Sequence, residues 1–242
     1  MNVLAISNSF GVDANTYLHQ IARAGGKKID VATLYIGACS LERHYRNMLA
    51  DNRSYDLYFN GTKTGFLVSI QEALLSKQWD VVTLQQGSIV SADYESYEPY
   101  GSELAAFVRK CSPKAKILIH QTWAYEQGSD RLLNLTPYEN AEDMFCDIEK
   151  AYVQFAKDIH ADGIIPSGKL MMDLLANGIP KVHRDTLHVT YGLGRYALGL
   201  LWYRALTGKS VADNPFVDFD VPVTQEEIDI AKRCVEKMEK IW

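Results

Sequence analysis

The chain has 242 residues, 47% hydrophobic and 23% charged, with a formal net charge of -5. That length suits one α/β domain with a sizeable core, and the composition is that of an ordinary globular protein. The acidic balance and the lack of a basic block exclude a nucleic-acid surface, and no apolar stretch is long enough to span a bilayer. Neither nucleic acid nor membrane is therefore an expected partner.

The first strand is read over Asn2–Ile6. Four apolar residues, Val3-Leu4-Ala5-Ile6, run directly into Ser7-Asn8-Ser9-Phe10, the pattern of a buried parallel strand ending near a helix N-terminus. A helix is expected over Asn15–Ala24, with Tyr17, Leu18 and Ile21 on one face and Gly25-Gly26 as its stop. Ile29–Ile36 reads as a second strand ending at Gly37-Ala38-Cys39-Ser40, and Ser40 as the cap of a helix to about Leu49. Tyr55–Phe59 and Gly65–Val68 flank Asn60-Gly61, a hairpin signal expected to lie outside the main sheet. Ser69–Ser76 reads as a helix and Val81–Leu84 as a third core strand, followed by Gln85-Gln86-Gly87-Ser88.

Ser91–Tyr100, polar and rich in tyrosine, is expected to be a loop at the site mouth. A helix over Ser102–Lys110 precedes a fourth strand, Ala115–His120, which ends in Gln121-Thr122-Trp123-Ala124-Tyr125. Glu126–Pro137 reads as a second rim loop and Tyr138–Ile159 as a long amphipathic helix. A short strand over Gly163–Ile165, a helix over Pro166–Leu175 and an apolar helix over Tyr191–Thr207 follow, the last stopped by Gly208. Thr224 caps a final helix running towards Ile241. Strands and helices alternate throughout, which implies one domain: a parallel sheet covered by helices on both faces.

In such a sheet ligands bind at the carboxyl ends of the strands. A serine there, near the positive end of a helix dipole, is placed to carry developing negative charge. Ser9 is thus the candidate nucleophile. It needs a base, and His188 is read as that base. Asp185 lies three residues earlier, close enough through one tight turn to orient the imidazole. Oxyanion donors are expected from the Ser9 N–H, the Gly37 N–H and a side-chain amide. Cys39, Cys111, Cys146 and Cys234 are widely spaced without a CxxC or His/Cys cluster. They are expected to be free buried thiols rather than metal ligands.

Ser7–Phe10 and Asp185–His188 resemble the first and last blocks of the SGNH (GDSL-like) hydrolase superfamily, in order and across most of the chain. The similarity is greatest to a bacterial branch known as a domain of unknown function. That branch carries Gly-Asn-Ser-Phe, Leu-Gln-Gln-Gly-Ser, Thr-Trp-Ala-Tyr and Arg-Asp-x-x-His blocks, where this chain has Ser7–Phe10, Leu84–Ser88, Thr122–Tyr125 and Arg184–His188. The resemblance implies a flavodoxin-like three-layer α/β/α sandwich with a five-stranded parallel sheet. It also implies ester hydrolysis by Ser9, His188 and Asp185, and an oxyanion glycine that Gly37 matches. The usual oxyanion asparagine is missing. Gln85-Gln86-Gly87-Ser88 stands in its place and is similar to the Gln-Gly-Glu pattern of carbohydrate acetylesterases, so Gln86 takes the donor role, with Gln85 as its rival. Ser7 and Asn8 replace the usual glycine and aspartate.

These residues imply a serine esterase acting without metal or organic cofactor on a short acyl ester, an O-acetyl group on a carbohydrate. Gln85, His120, Gln121, Trp123, Tyr125 and Arg184 are candidate substrate contacts. The plainer alternatives are buried strand-end polar groups for His120 and Gln121, rim packing for Trp123 and Tyr125, and a loop lock for Arg184. Glu42, His44, Tyr94 and Tyr97 are weaker pocket candidates, and His19 and His160 are expected to be structural. The alternative function is an inactive flavodoxin-like module that binds a glycan or a small anion. No basic leader precedes the first strand, which points to the cytoplasm; a secreted protein stripped of its leader would read the same.

Overall fold

The computed structural model describes residues 1–238. Its strands are β1 (Asn2–Ser7), β2 (Asp30–Tyr35), β3 (Tyr55–Phe59), β4 (Thr62–Val68), β5 (Val81–Leu84), β6 (Lys116–His120) and β7 (Gly163–Ile165). The helices are α1 (Ser9–Asn15), α2 (Leu18–Ala24), α3 (Leu41–Leu49), α4 (Ile70–Leu75), α5 (Tyr100–Cys111), α6 (Asp130–Leu135), α7 (Ala141–Asp158), α8 (Ser167–Ala176), α9 (Leu193–Thr207) and α10 (Gln225–Lys237).

β1 alternates its side chains between two cores, because a strand in the middle of a covered sheet is buried on both faces. Val3 and Ala5 pack with α1, α2, α8, α9 and α10. Leu4 and Ile6 pack with α3, α4, α5 and α7. The protein is therefore a three-layer α/β/α sandwich. Its sheet runs β4-β3-β2-β1-β5-β6-β7. The run β2-β1-β5-β6-β7 is parallel, the expected five-stranded flavodoxin-like core.

The hairpin departs from expectation. It does not leave the sheet but extends it, with β3 antiparallel to β2 and β4 antiparallel to β3, giving seven strands. The turn explains the geometry. Asn60 and Gly61 both have positive φ, 50° and 85°, the twist that keeps paired strands aligned. Asn60 Oδ1 also accepts from the Val31 N–H at 2.8 Å, tying the turn back to β2.

A second difference matters more for the site. A helix begins at Ser9, not at Asn15, because Asn8 caps it: Asn8 Oδ1 accepts from the Phe10 N–H at 3.1 Å. The apolar spacing of Tyr17, Leu18 and Ile21 belongs to the separate α2. Elsewhere the ends agree with their chemistry. Ser40 caps α3, Gly208 ends α9 at φ 66°, and Thr224 forms a capping box with Glu227. α10 ends at Lys237; the expected run to Ile241 lies outside the described residues.

The tyrosine-rich segment is not a free rim. It folds into two 3-10 turns, Ser88–Val90 and Tyr94–Tyr97, and Tyr97 is buried against Tyr152 and Phe155. Glu126–Pro137 contains α6. Cys39 and Cys234 are buried free thiols, but Cys111 is half-buried and Cys146 is exposed on the outer face of α7. No described helix is long and apolar enough to cross a membrane.

Candidate active site

β1 delivers its chain to the carboxyl edge of the sheet, and the Asn8 cap turns it into α1 within one residue. Ser9 is the first helical residue, so its backbone N–H has no acceptor within the helix and points outward from the positive end of the dipole. The close turn requires Gly11: a Cβ there would stand 2.0 Å from Ser7 Oγ.

The loop between α8 and α9 brings the other two groups. Arg184 N–H donates to the His188 carbonyl at 2.8 Å, closing the segment between them on itself. Inside it, Asp185 Oδ1 accepts from the N–H groups of Leu187 and His188 at 3.2 and 2.7 Å. Oδ2 is then left to face the imidazole. His188 Nδ1–H donates to it at 2.8 Å, and Nε2 accepts from Ser9 Oγ at 2.8 Å. Burial alone would raise the Asp185 pKa. The hydrogen bonds from His188 and Leu187 outweigh it and hold the carboxyl down to about 2. Asp185 is thus ionised at any moderate pH, which assigns the proton between them to Nδ1 and leaves Nε2 free to accept.

Aromatic packing supports the relay from below. Phe10 stacks on Trp123 with centroids 3.7 Å apart and presents an edge contact to His188 at 6.0 Å. Trp123 Nε1–H donates to the Leu187 carbonyl at 2.8 Å. Trp123 is fully buried, so it holds the loop and does not stack on a ligand.

The glutamine block corrects the expected oxyanion donor. Gln86 Oε1 accepts from the backbone N–H groups of Leu41 and Gly87, both at 2.8 Å. Those groups can only donate, so they fix the amide's orientation. Nε2 must then face Ser96, where it donates to the carbonyl and the hydroxyl. Gln86 therefore ties the block to α3 and to the turn at Tyr94–Tyr97, and its N–H groups are occupied away from Ser9.

Gln85 is committed in the opposite direction. Asn8 Oδ1, fixed by the Phe10 N–H, also accepts from Gln85 Nε2. Gln85 Oε1 consequently accepts from Ser7 Oγ and His120 Nδ1, each at 2.7 Å. His120 Nε2 is left to accept from Ser167 Oγ at 3.0 Å. This buried chain explains why Ser7 and Asn8 stand where a glycine and an aspartate were expected: both are members of it.

The remaining substrate candidates are also structural in this geometry. His120 is 1% exposed, and Gln121, 2% exposed, accepts from the Lys169 N–H at the start of α8. Tyr125 is buried with its hydroxyl on Ser88 Oγ at 3.3 Å. Arg184 locks the loop through Asp13 and the Val189 carbonyl. Gly37 is exposed at the end of β2, in the turn closed by the Cys39 N–H on the Ile36 carbonyl. Of the weaker candidates, His44 and Tyr97 are buried, Glu42 pairs with Arg46, and Tyr94 hydrogen-bonds Asp158. Among the described residues no group of three or more His, Cys, Asp or Glu is placed to hold a metal ion.

Burial lowers the pKa of His120 to about 3; burial, with a smaller contribution from the Arg43 charge, does the same for His44. Both stay neutral in the fold, whereas in the unfolded chain they take up a proton near pH 6.5. The unfolded state binds more protons below that value, so stability falls as pH drops from about 6.5 towards 3. Two such groups predict a loss of about 2–3 kcal/mol between pH 7 and 5.5. Urea unfolding at the two pH values measures it, and equal stabilities would contradict the buried neutral state.

Sequence reasoning missed Asp13 and Arg195, which flank this loop. Asp13 follows Ser9 by one helical turn, and an acidic residue at that spacing was the available signal.

A family model described as a domain of unknown function (DUF4886) matches residues 2–237. The structure superposes on a DUF4886 family protein from Bacteroides uniformis with a TM-score of 0.91 at 30% identity, covering 97% of this chain and 93% of that one. A protein from Slackia heliotrinireducens, provisionally assigned to the SGNH hydrolases, gives 0.63 at 22% identity over 85% and 98% of the two chains. Axe2, an acetylxylan esterase from Geobacillus stearothermophilus, gives 0.53 at 13% identity over 85% and 91%. The chain shares the SGNH hydrolase fold with these structures. No curated protein matches the sequence.

Proposed function

The chain belongs to the DUF4886 family, and from that premise and the Ser9–His188–Asp185 geometry we propose that it is a serine esterase. The observation that carries the reading is the continuous relay of two 2.8 Å contacts, ending on a serine at a helix N-terminus. Serine is a weak nucleophile, and a positioned imidazole with an ionised partner is what activates it.

In the proposed reaction Ser9 Oγ attacks the ester carbonyl carbon as its proton passes to His188 Nε2. The carbonyl electron pair moves onto oxygen, and the backbone N–H groups of Ser9 and Gly37 are assigned to receive that charge. Collapse expels the alcohol oxygen, which takes the proton from His188 and leaves an acyl-Ser9. Water, deprotonated by the same nitrogen, then attacks the acyl carbon; Ser9 leaves with the proton and the acid is released. Asp185 stays ionised throughout and stabilises the imidazolium. Every proton is accounted for by Ser9, His188 and water, so the proposal invokes no metal or cofactor.

The substrate we assign is a short acyl ester, an O-acetyl group on a carbohydrate. The activity of Axe2, an acetylxylan esterase, supports that assignment. The aromatic residues read from sequence lend it no support, since Trp123 and Tyr125 are buried.

A p-nitrophenyl phosphonate is expected to label Ser9 covalently, with labelling lost in His188→Ala. p-Nitrophenyl acetate should be hydrolysed faster than the butyrate. A wild type that is neither labelled nor active, yet is thermally stabilised by a glycan, would instead support the binding module.

A further inference from the structure

Asp13 takes no part in the relay, yet its carboxylate is among the best-engaged charges near it. Its side chain is 2% exposed and lies between two guanidinium groups. Arg184 Nη1 donates to Oδ2 at 2.9 Å, and Arg195 Nε donates to Oδ1 at 2.8 Å. The two arginines bracket the acid–base loop. Arg184 directly precedes Asp185, and Arg195 stands in the first turn of α9, just after the loop closes.

Further contacts make this bracket a unit. Arg184 Nη1 also donates to the Val189 carbonyl, while its backbone N–H holds the His188 carbonyl. The Tyr191 ring lies against both guanidinium groups, 4.5 Å from that of Arg184 and 4.6 Å from that of Arg195. Asp13 itself belongs to α1, on the same helix face as Ser9. One short helix thus carries both the nucleophile and the anchor to which the loop bearing its base is tied.

We propose that Asp13 is a positioning residue that sets the Ser9–His188 distance by clamping Arg184 and Arg195 to the nucleophile helix; this rests on the serine-esterase reading. The physical reason is charge. The carboxylate that both guanidinium groups contact most closely offsets the repulsion between two like charges, although Arg184 also lies 4.0 Å from Asp185 and Arg195 3.6 Å from Asp220. Removing the Asp13 charge leaves them repelling in a poorly solvated place. The loop relaxes outward, and His188 moves with it. A displacement of about 1 Å at the reacting groups costs on the order of 100-fold in rate.

The test is Asp13→Asn, which keeps shape and removes charge. On p-nitrophenyl acetate kcat should fall on the order of 100-fold with KM within about threefold. Phosphonate labelling of Ser9 should slow in proportion. A merely structural role, read well below the melting temperature, would leave kcat and labelling unchanged. Adding Arg184→Gln to Asp13→Asn should cost less than the product of the two single losses, because both remove the Asp13–Arg184 contact. If Asp13→Asn does not fold, Arg184→Gln alone, at a side chain 20% exposed, should show the same split of kcat from KM. Amide hydrogen exchange over residues 184–190 provides a readout independent of turnover, and it should accelerate in the folded variant. A wild type without labelling or hydrolysis would sink the esterase reading. Unchanged exchange, or kcat within threefold of a wild type that is active, would sink the clamp.

Discussion

Replacing Ser9 by alanine is expected to lower kcat on p-nitrophenyl acetate by about a million-fold, the scale of losing the nucleophile in a serine triad. The substitution removes one oxygen that is half-buried at the start of α1, and Asn8 rather than Ser9 caps that helix, so the fold should be unaffected. His188→Ala should cost about as much, and the double variant little more than either. The two groups perform one proton transfer, and removing it twice removes nothing further. Steady-state rates of the three variants, with circular dichroism to show that they are folded, decide the matter. Hydrolysis retained in Ser9→Ala would refute the assignment of the nucleophile, and additive losses would refute the coupling.

Asp185→Asn is expected to lower kcat by roughly ten-thousandfold, through a tautomer change rather than a loss of contact. Asp185 Oδ1 is held by the N–H groups of Leu187 and His188, which can only donate. An asparagine must keep its single oxygen there and turn its NH2 towards His188 Nδ1. That nitrogen then has to accept, so the ring proton moves to Nε2, the atom that faces Ser9 at 2.8 Å. A protonated Nε2 cannot take the serine proton. The wild-type carboxyl, held down to about 2 by the same hydrogen bonds, keeps its charge across the pH range where an esterase works. Nitrogen-15 chemical shifts of His188 in the two proteins would reveal the exchange of tautomers. An Nε2 that stays unprotonated in the variant, or a rate loss under tenfold, would show that Asp185 does not set the tautomer.

The sequence by itself determined the parallel core of the sheet and singled out Ser9, His188 and Asp185 as candidates, and it did so for local reasons. Val3–Ile6 and Ile117–Ile119 are apolar on both faces and Val81–Leu84 is interrupted only by Thr83, the pattern of a covered parallel strand. Asp185 and His188 are three positions apart, so one turn suffices to join them, and Ser9 stands where the first strand must end. What tertiary structure alone decided was which polar groups remain free to act. A glutamine's amide, a buried histidine and a tryptophan at a strand end look the same in sequence whether they face a substrate or a backbone N–H. Gln86 is turned away by Leu41 and Gly87, His120 is held by Gln85 and Ser167, and Trp123 lies beneath the loop it supports. Apart from Gly87, each of those partners comes from a distant part of the chain. The same holds for Asp13, whose two arginines follow it by 171 and 182 positions. Short-range periodicity reports which face of an element is buried. Hydrogen-bond partners and charge pairs are set by how distant elements pack, and that determines which of these side chains is left for chemistry.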